Sequence, residues 1–201
     1  MTSAARKNLI SLSGIVIAIA LGYGLSEVLG ASSKTTIGDL SLTSVCILAA
    51  FIVQWLMFIP AFVFKTERYF DLTGSLTYIS LVIVALVLGL ADARSLLLGA
   101  MVLLWAVRLG SFLFARVSQA GEDRRFRKMK HHFIEFLMTW TLQGLWVVMT
   151  LAAALTAMTT DQAVPLDLFA LIGALVWAIG WLIEVMADRQ KTNFRAIPEN
   201  K

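Results

Sequence analysis

The sequence predicts an all-α, polytopic integral membrane protein. Of its 201 residues, 59% are hydrophobic and 15% are charged, which leaves too few polar side chains to cover a soluble globule. Six apolar windows are long enough to cross a bilayer, which takes about 18 residues or more. Backbone groups in lipid must be satisfied within their own segment, so each window predicts a helix. The predicted spans cover residues 9–30, 42–64, 72–91, 95–116, 134–158 and 166–187.

Positive charge is distributed unevenly between the connectors. Lysine and arginine are enriched on the cytoplasmic side of membrane proteins. The connectors after the first, third and fifth spans carry only Lys34 and Arg94, whereas the termini and the other two connectors carry the remaining basic residues. We therefore expect both termini in the cytoplasm. The net charge of +4 follows this orientation rule, so it does not indicate a nucleic-acid partner. The basic residues of the termini and the other two connectors are Arg6, Lys7, Lys65, Arg68, Arg116, Arg124, Arg125, Arg127, Lys128, Lys130, Arg189, Lys191, Arg195 and Lys201.

The first span is predicted to stay in the protein rather than to be cleaved as a signal peptide. Secretory apolar regions run for about 7–15 residues, whereas residues 9–30 can cross a bilayer. Residues 31–41 are predicted to be a simple loop. Cys46 lies in the second span and, as a single cysteine, excludes an internal disulfide, so it is interpreted as a small packing residue.

The second span contains Gln54. A glutamine in the hydrocarbon region needs a hydrogen-bond partner, so Gln54 is predicted to face the bundle interior. A structural bond between helices and a functional role both fit this position. Pro60, near the end of the same span, predicts a kink.

The third span places Asp71, Ser75 and Tyr78 on one helical face, since they are spaced by four and three residues. The Tyr78 hydroxyl is predicted to lie about two turns inside the span. A phenol at this depth can donate a proton or a hydrogen bond to a substrate carbonyl. It can equally bond to a neighbouring helix.

Arg108 lies inside the fourth span, where an arginine requires an anionic partner or a hydrated site. An ion pair with Glu135 or Glu184 and a contact to a ligand phosphate are both open interpretations. In the fifth span, Gln143 is predicted to line a cavity or a helix contact. His131 and His132 have no cysteines nearby, so no metal site is predicted.

The sixth span ends in a stripe of aromatic and charged residues. Its spacing keeps these residues on one helical face that continues beyond the hydrocarbon region. Glu184 is the member least readily explained as a solvated helix end. Alternating charges of this kind suit a ligand that carries phosphates and hydroxyls. The stripe consists of Trp177, Trp181, Glu184, Asp188, Lys191 and Arg195.

Several motifs together resemble the bacterial branch of the steroid 5α-reductase family, from the second span onward and in the expected order. This branch is often catalogued only as a membrane domain of unknown function. The motifs are Gln54-Trp55, TERYFDLTGSLTY at 66–78, WAVRLGSFL at 105–113, GEDRRF at 121–126 and the ending 184–195.

The resemblance implies a membrane oxidoreductase that uses NADPH to reduce the carbon–carbon double bond of an apolar enone. It implies that Gln54 and Tyr78 hold the substrate ketone oxygen and help to protonate the enolate. It assigns Asp188 and Arg195 to cofactor contacts, and Arg108, Glu184 and the basic connector are further candidates. It also implies a location in the bacterial inner membrane, where lipids and an apolar substrate are the expected partners.

Two features depart from the family pattern. Trp55 stands where the steroid enzymes have a glutamate, so one hydrogen bond to the substrate carbonyl is lost. The family continues through a Ser-Arg-His-Pro-Asn-Tyr-like segment, and nothing in this sequence, which ends at Lys201, corresponds to that segment. We therefore expect a single domain over residues 1–201 that is C-terminally truncated relative to the family.

Two alternatives remain open. The polar stripes also suit a non-catalytic membrane protein or a small transporter. A membrane methyltransferase is the third interpretation, because the isoprenylcysteine enzymes share part of this architecture. Substrate identity and oligomeric state are not predicted.

Overall fold

All six predicted spans form helices in the computed structural model, which describes residues 3–160 and 162–197. Within these residues, six helices are long and apolar enough to cross a membrane, which confirms the all-α membrane fold. The last residues of the chain, 198–201, lie outside the described part. The elements are α1 Ser3–Gly30, β1 Thr36–Ile37, β2 Leu40–Ser41, α2 Leu42–Val63, α3 Phe70–Leu88, α4 Ala93–Ala120, a 3₁₀ turn Met129–His131, α5 Phe133–Thr159 and α6 Leu168–Ala196.

Three helices run well past their predicted spans, because hydropathy measures the thickness of the apolar layer rather than the length of a helix. α1 begins at Ser3, six residues before its predicted start. α4 continues to Ala120 and stops at Gly121, whose φ of 78° is a conformation that favours glycine. α6 continues to Ala196 through a polar last third. The extension of α6 carries Asp188, Arg189, Lys191 and Arg195 beyond its apolar window.

The connector between α1 and α2 is a β-hairpin rather than the simple loop that the sequence predicted. β1 and β2 pair antiparallel, with Thr36 opposite Ser41, and Gly38 in the turn has a φ of 62°. The Ser41 side chain then caps α2 by accepting the Ser44 N–H at 3.1 Å. Loop polarity alone could not distinguish these two conformations.

Two ends of the bundle can be told apart by contacts between connectors. At the hairpin end, Ser33 forms a β-bridge with Thr160, just after α5. At the basic end, Glu67 from the α2–α3 connector contacts Lys130 from the α4–α5 connector.

The chain divides into two compact units, Met1–Ala163 and Val164–Lys201. In the first unit α5 packs against α1, α2, α3 and α4, and Cys46 is fully buried in the core. The predicted single domain over 1–201 stays a prediction. Other core residues are Leu42, Ala50, Val82, Ala85, Val147, Val148, Leu151 and Leu155.

α3 and α4 approach closely at Gly110. A Cβ at this position would lie 2.6 Å from the Ser75 Cβ, closer than real Cβ contacts allow. Ser75 therefore occupies the helix contact, while its predicted stripe partners Asp71 and Tyr78 point to other groups.

The second unit is built on α6. Asp167 caps its N-terminus by accepting the Ala170 N–H at 2.9 Å. The rings of Trp177 and Trp181 stack one turn apart, with centroids 6.1 Å from each other and planes 12° from parallel. Glu184 and Asp188 follow on the same face, as their spacing predicts.

Candidate functional site

Gln54 is fully buried at the contact between α2 and α3, which confirms its predicted interior position. Its Nε2 donates to Thr77 Oγ1 at 2.9 Å, and the Thr77 hydroxyl donates to the Thr73 carbonyl at 2.7 Å. Because the Thr77 hydrogen is already used, Thr77 can only accept from Gln54, and this sets the orientation of the amide. Gln54 Oε1 is buried and has no hydrogen-bond partner among the described residues.

Gln143 lies at the contact between α3 and α5. Its Nε2 donates to the Phe70 carbonyl at 2.9 Å, while its Oε1 is buried without a partner in residues 3–160 and 162–197. Gly74 makes room for this amide, since a Cβ on Gly74 would overlap Gln143 Nε2. The predicted helix contact of Gln143 is therefore observed.

Trp140 Nε1, also on α5, is a further buried polar atom that pairs with no group in the described part of the chain. The Trp140 ring packs edge-on against Phe70 of α3, with centroids 5.0 Å apart. Buried polar atoms are rarely left unpaired in proteins. Gln54, Gln143 and Trp140 thus give the α2–α3–α5 junction spare capacity for a water molecule or a polar ligand group.

Trp55 neighbours Gln54 and turns toward α5, where its Nε1 donates to Thr141 Oγ1 at 3.1 Å. Its ring lies 5.9 Å from that of Phe51, one turn away. Trp55 therefore links α2 to α5 through its indole.

Tyr78 is 6% exposed and packs edge-on against Trp105 of α4, with ring centroids 5.1 Å apart. Its hydroxyl forms a short hydrogen bond with Thr150 Oγ1 on α5. Because the Thr150 hydroxyl donates to the Trp146 carbonyl at 2.7 Å, Tyr78 is the donor in this pair. The Tyr78 phenol therefore donates its hydrogen to the Thr150 hydroxyl, whose own hydrogen is used on α5.

Gln54 and Tyr78 are linked through the backbone of α3 rather than by a direct bond. Thr77, the partner of Gln54, is the residue before Tyr78, and successive helical residues point about 100° apart. Sequence reasoning missed Thr77, Thr141 and Thr150. A threonine hydroxyl in a helix can donate to a backbone carbonyl one turn earlier. A threonine in a span therefore does not predict a partner on another helix.

The basic connector is anchored by Glu67, which is only 5% exposed. Glu67 Oε1 accepts the Asp123 backbone N–H at 2.9 Å, and Oε2 accepts from Lys130 Nζ at 2.8 Å. Sequence reasoning treated Glu67 only as part of a motif, since a carboxylate in a connector is normally hydrated. The fold makes it the partner of a second connector.

Ion pairs occupy four of the six basic residues in 116–130. Arg116 lies 3.7 Å from Asp71 and 3.8 Å from Asp123, and Arg125 contacts Asp123 at 2.6 Å. Arg127 pairs with Glu122, and Lys130 pairs with Glu67. In the described part of the chain, only Arg124 and Lys128 of this block are exposed without an ion pair.

These ion pairs shift the pKa values of charged side chains in the connector. Burial of the Asp123 carboxyl opposes its ionisation, but hydrogen bonds from Arg125 outweigh that effect and the pKa of Asp123 is lowered. The hydrogen bond from Arg127 lowers the pKa of Glu122, and hydrogen bonding to Asp123 raises the pKa of Arg125. The connector carboxylates therefore stay ionised as counterions of its arginines.

Arg108 is half-buried on α4 and lies over the Phe112 ring, 5.4 Å from its centroid. Glu135, one of its two predicted partners, forms no ion pair within residues 3–160 and 162–197. Glu184 and Asp188 lie one turn apart on α6 of the second unit, and Arg195 is exposed near the end of that helix.

His131 and His132 are exposed at the 3₁₀ turn. Among the described residues, no three His, Cys, Asp or Glu side chains are grouped so that they could hold a metal ion.

Comparison with known proteins identifies a family for most of the chain. A family model described as "Protein of unknown function (DUF1295)" matches residues 57–201. No curated protein and no solved structure matches the chain. The matched range includes Tyr78, Arg108, Glu184 and Asp188 and begins three residues after Gln54.

Proposed function

The chain belongs to the DUF1295 family of membrane proteins, and we propose that it is an integral membrane oxidoreductase of the steroid 5α-reductase type. Its substrate would be an apolar enone in the bilayer, whose carbon–carbon double bond is reduced with NADPH. The proposal extends to a bacterial inner membrane with both termini in the cytoplasm, which agrees with the position of the basic residues.

One observation carries this proposal. A phenol donor, Tyr78, and an amide with spare hydrogen-bonding capacity, Gln54, lie inside adjacent spans and are joined through Thr77. Polar groups at this depth are costly unless they are paired or functional. Gln54 Nε2 uses one of its two hydrogens on Thr77, which leaves the other as a buried donor.

The two side chains suit charge that develops on a ketone oxygen. Reduction of an enone adds a hydride to the β-carbon and a proton to the α-carbon, and negative charge forms on the oxygen between these steps. Tyr78 can donate its hydroxyl hydrogen to that oxygen, and the second Nε2 hydrogen of Gln54 is a further donor. Thr150 can then turn its own hydrogen from the Trp146 carbonyl to the Tyr78 oxygen.

The available cations suit a phosphate-bearing cofactor. NADPH, when bound, supplies the hydride. Arg124 and Lys128 are exposed and unpaired in the described part of the first unit, and Arg195 is exposed in the second. We assign Arg195 and Arg108 to phosphate groups and Glu184 and Asp188 to hydroxyl or amide groups of the cofactor, on the resemblance and on their chemistry.

A non-catalytic role is the second candidate, and a different observation favours it. Gln54, Gln143, Trp55 and Tyr78 each bond to another helix, so each has a structural role already. A methyltransferase is the remaining alternative, and it would bind S-adenosylmethionine instead of NADPH.

Calorimetry on the detergent-purified 201-residue protein separates these functions. We expect binding of NADPH but not of NADH or S-adenosylmethionine. Arg195→Gln should weaken NADPH binding about tenfold, because one charged hydrogen bond to a phosphate is lost. Arg6→Gln removes the same charge from an exposed position on α1 and should leave binding unchanged. Binding of S-adenosylmethionine, or of no nucleotide by folded protein, would contradict the proposal.

A further inference from the structure

A groove between α1 and α2 lies apart from Gln54 and Tyr78, neither of which lines it. Its volume is about 280 Å³, at the small end of the range for ligand cavities. On α2 it extends from Ser44 to Trp55, which corresponds to roughly 16 Å of helix. This length matches about half the thickness of a bilayer's hydrocarbon core.

The groove is polar at one end and apolar at the other. Tyr23, Glu27 and Ser44 line the end next to the hairpin, whereas Ile19, Phe51 and Trp55 line the deeper end. The Ser44 hydroxyl donates to the Ser26 carbonyl of α1 at 3.3 Å, which joins the two helices at the polar end. A ligand that fits both ends must itself be amphipathic.

The polar end offers unused hydrogen-bonding groups. Tyr23 is 67% exposed and Glu27 is also exposed. Neither side chain forms a hydrogen bond or an ion pair with another described residue. The Glu27 carboxylate can only accept hydrogen bonds and repels other anions. This excludes a phosphate or carboxylate head group and favours a head group that donates a hydrogen bond.

The deep end is shaped by Gly22 and Phe51. A Cβ on Gly22 would lie 2.6 Å from the Phe51 ring, so glycine is what allows this aromatic wall. Trp55 completes the wall, with its Nε1 turned away toward Thr141. The surface left for a ligand at this end is therefore apolar.

We infer that the α1–α2 groove binds a lipid alcohol from the bilayer leaflet at the hairpin end. The hydroxyl donates to the Glu27 carboxylate and accepts from Tyr23, and the apolar body lies along Phe51 and Trp55. This inference does not depend on the proposed reductase activity, because neither Gln54 nor Tyr78 lines the groove.

Fluorescence quenching tests the site with defined probes. The probe is a long-chain alcohol brominated at mid-chain, added to the 201-residue protein in lipid nanodiscs at neutral pH, and the comparison is the fatty acid of the same chain. We expect the alcohol to quench the part of the tryptophan fluorescence that Trp55→Phe removes. Half-quenching by the alcohol should need a concentration at least about tenfold lower than half-quenching by the acid. Glu27→Gln should reduce this preference to less than about threefold.

A pair of variants on α2 provides a control that does not depend on tryptophan. Leu48 lines the groove, whereas Leu56 is 59% exposed on the same helix and does not line it. Leu48→Phe should reduce the amount of alcohol retained in native mass spectrometry at least about fivefold, and Leu56→Phe should not. Equal retention by both variants, or equal quenching by alcohol and acid in the unmodified protein, would overturn the inference.

Discussion

Tyr78→Phe is expected to lower NADPH-dependent enone reduction at least about 100-fold, since removal of a positioned donor to a developing oxyanion has effects of this size. Tyr78 is the hydroxyl of the proposed pair, and it already donates its hydrogen to Thr150 Oγ1. Turnover of a panel of apolar enones by the purified variant provides the measurement.

Tyr69→Phe is the matched control for this prediction. Tyr69 precedes α3, is 45% exposed and stacks on Phe114 through its ring, so loss of its hydroxyl should leave turnover within about twofold. Tyr78→Phe should cost only about 1 kcal/mol of stability, the value of one hydrogen bond. A folded Tyr78→Phe variant that kept more than a third of the turnover would show that the assigned role is wrong.

Lys130→Met is expected to destabilise the protein by about 3 kcal/mol. The change leaves the Glu67 carboxylate, which is 5% exposed, with the Asp123 N–H as its remaining described partner. Breaking a buried ion pair on one side leaves an uncompensated charge, and this costs more than the pair itself contributes. Unfolding in mixed detergent micelles measures the difference.

Two further variants separate the ion pair from other effects. Lys128→Met removes a charge from an exposed, unpaired position two residues away and should change stability by less than about 0.5 kcal/mol. The double variant Glu67→Gln/Lys130→Met should recover most of the loss, because no unpaired charge remains. If Lys130→Met and Lys128→Met behaved alike, the connector would not depend on Glu67.

Hydropathy predicted the six membrane-spanning helices because it reports directly on the bilayer. The orientation predicted from the basic residues stays a prediction. Every predicted span is a helix, and Gln54 is buried because an amide in hydrocarbon must be turned inward. The helix ends were less predictable. α6 continues nine residues beyond its predicted span to Ala196, since a helix can extend into water without any change in its hydrogen bonds.

The partners of the candidate residues were not predictable from spacing. Thr150 and Thr77 come from helices whose register with Tyr78 and Gln54 depends on tertiary packing. Glu67 is likewise buried only because two connectors meet at the basic end. The hairpin was missed because loop composition does not report strand pairing. The assigned roles of Tyr78, Gln54, Arg108, Glu184, Asp188 and Arg195 stay predictions.

The most direct measurement of the central claim is isotope transfer from the cofactor. NADPH deuterated at the transferable position is incubated with the purified protein and an apolar enone, and the product is examined by mass spectrometry and NMR. The proposed function predicts one deuterium at the β-carbon of a saturated ketone, and none with Tyr78→Phe over the same time. A folded protein that binds NADPH but transfers no deuterium to any of the enones would contradict it.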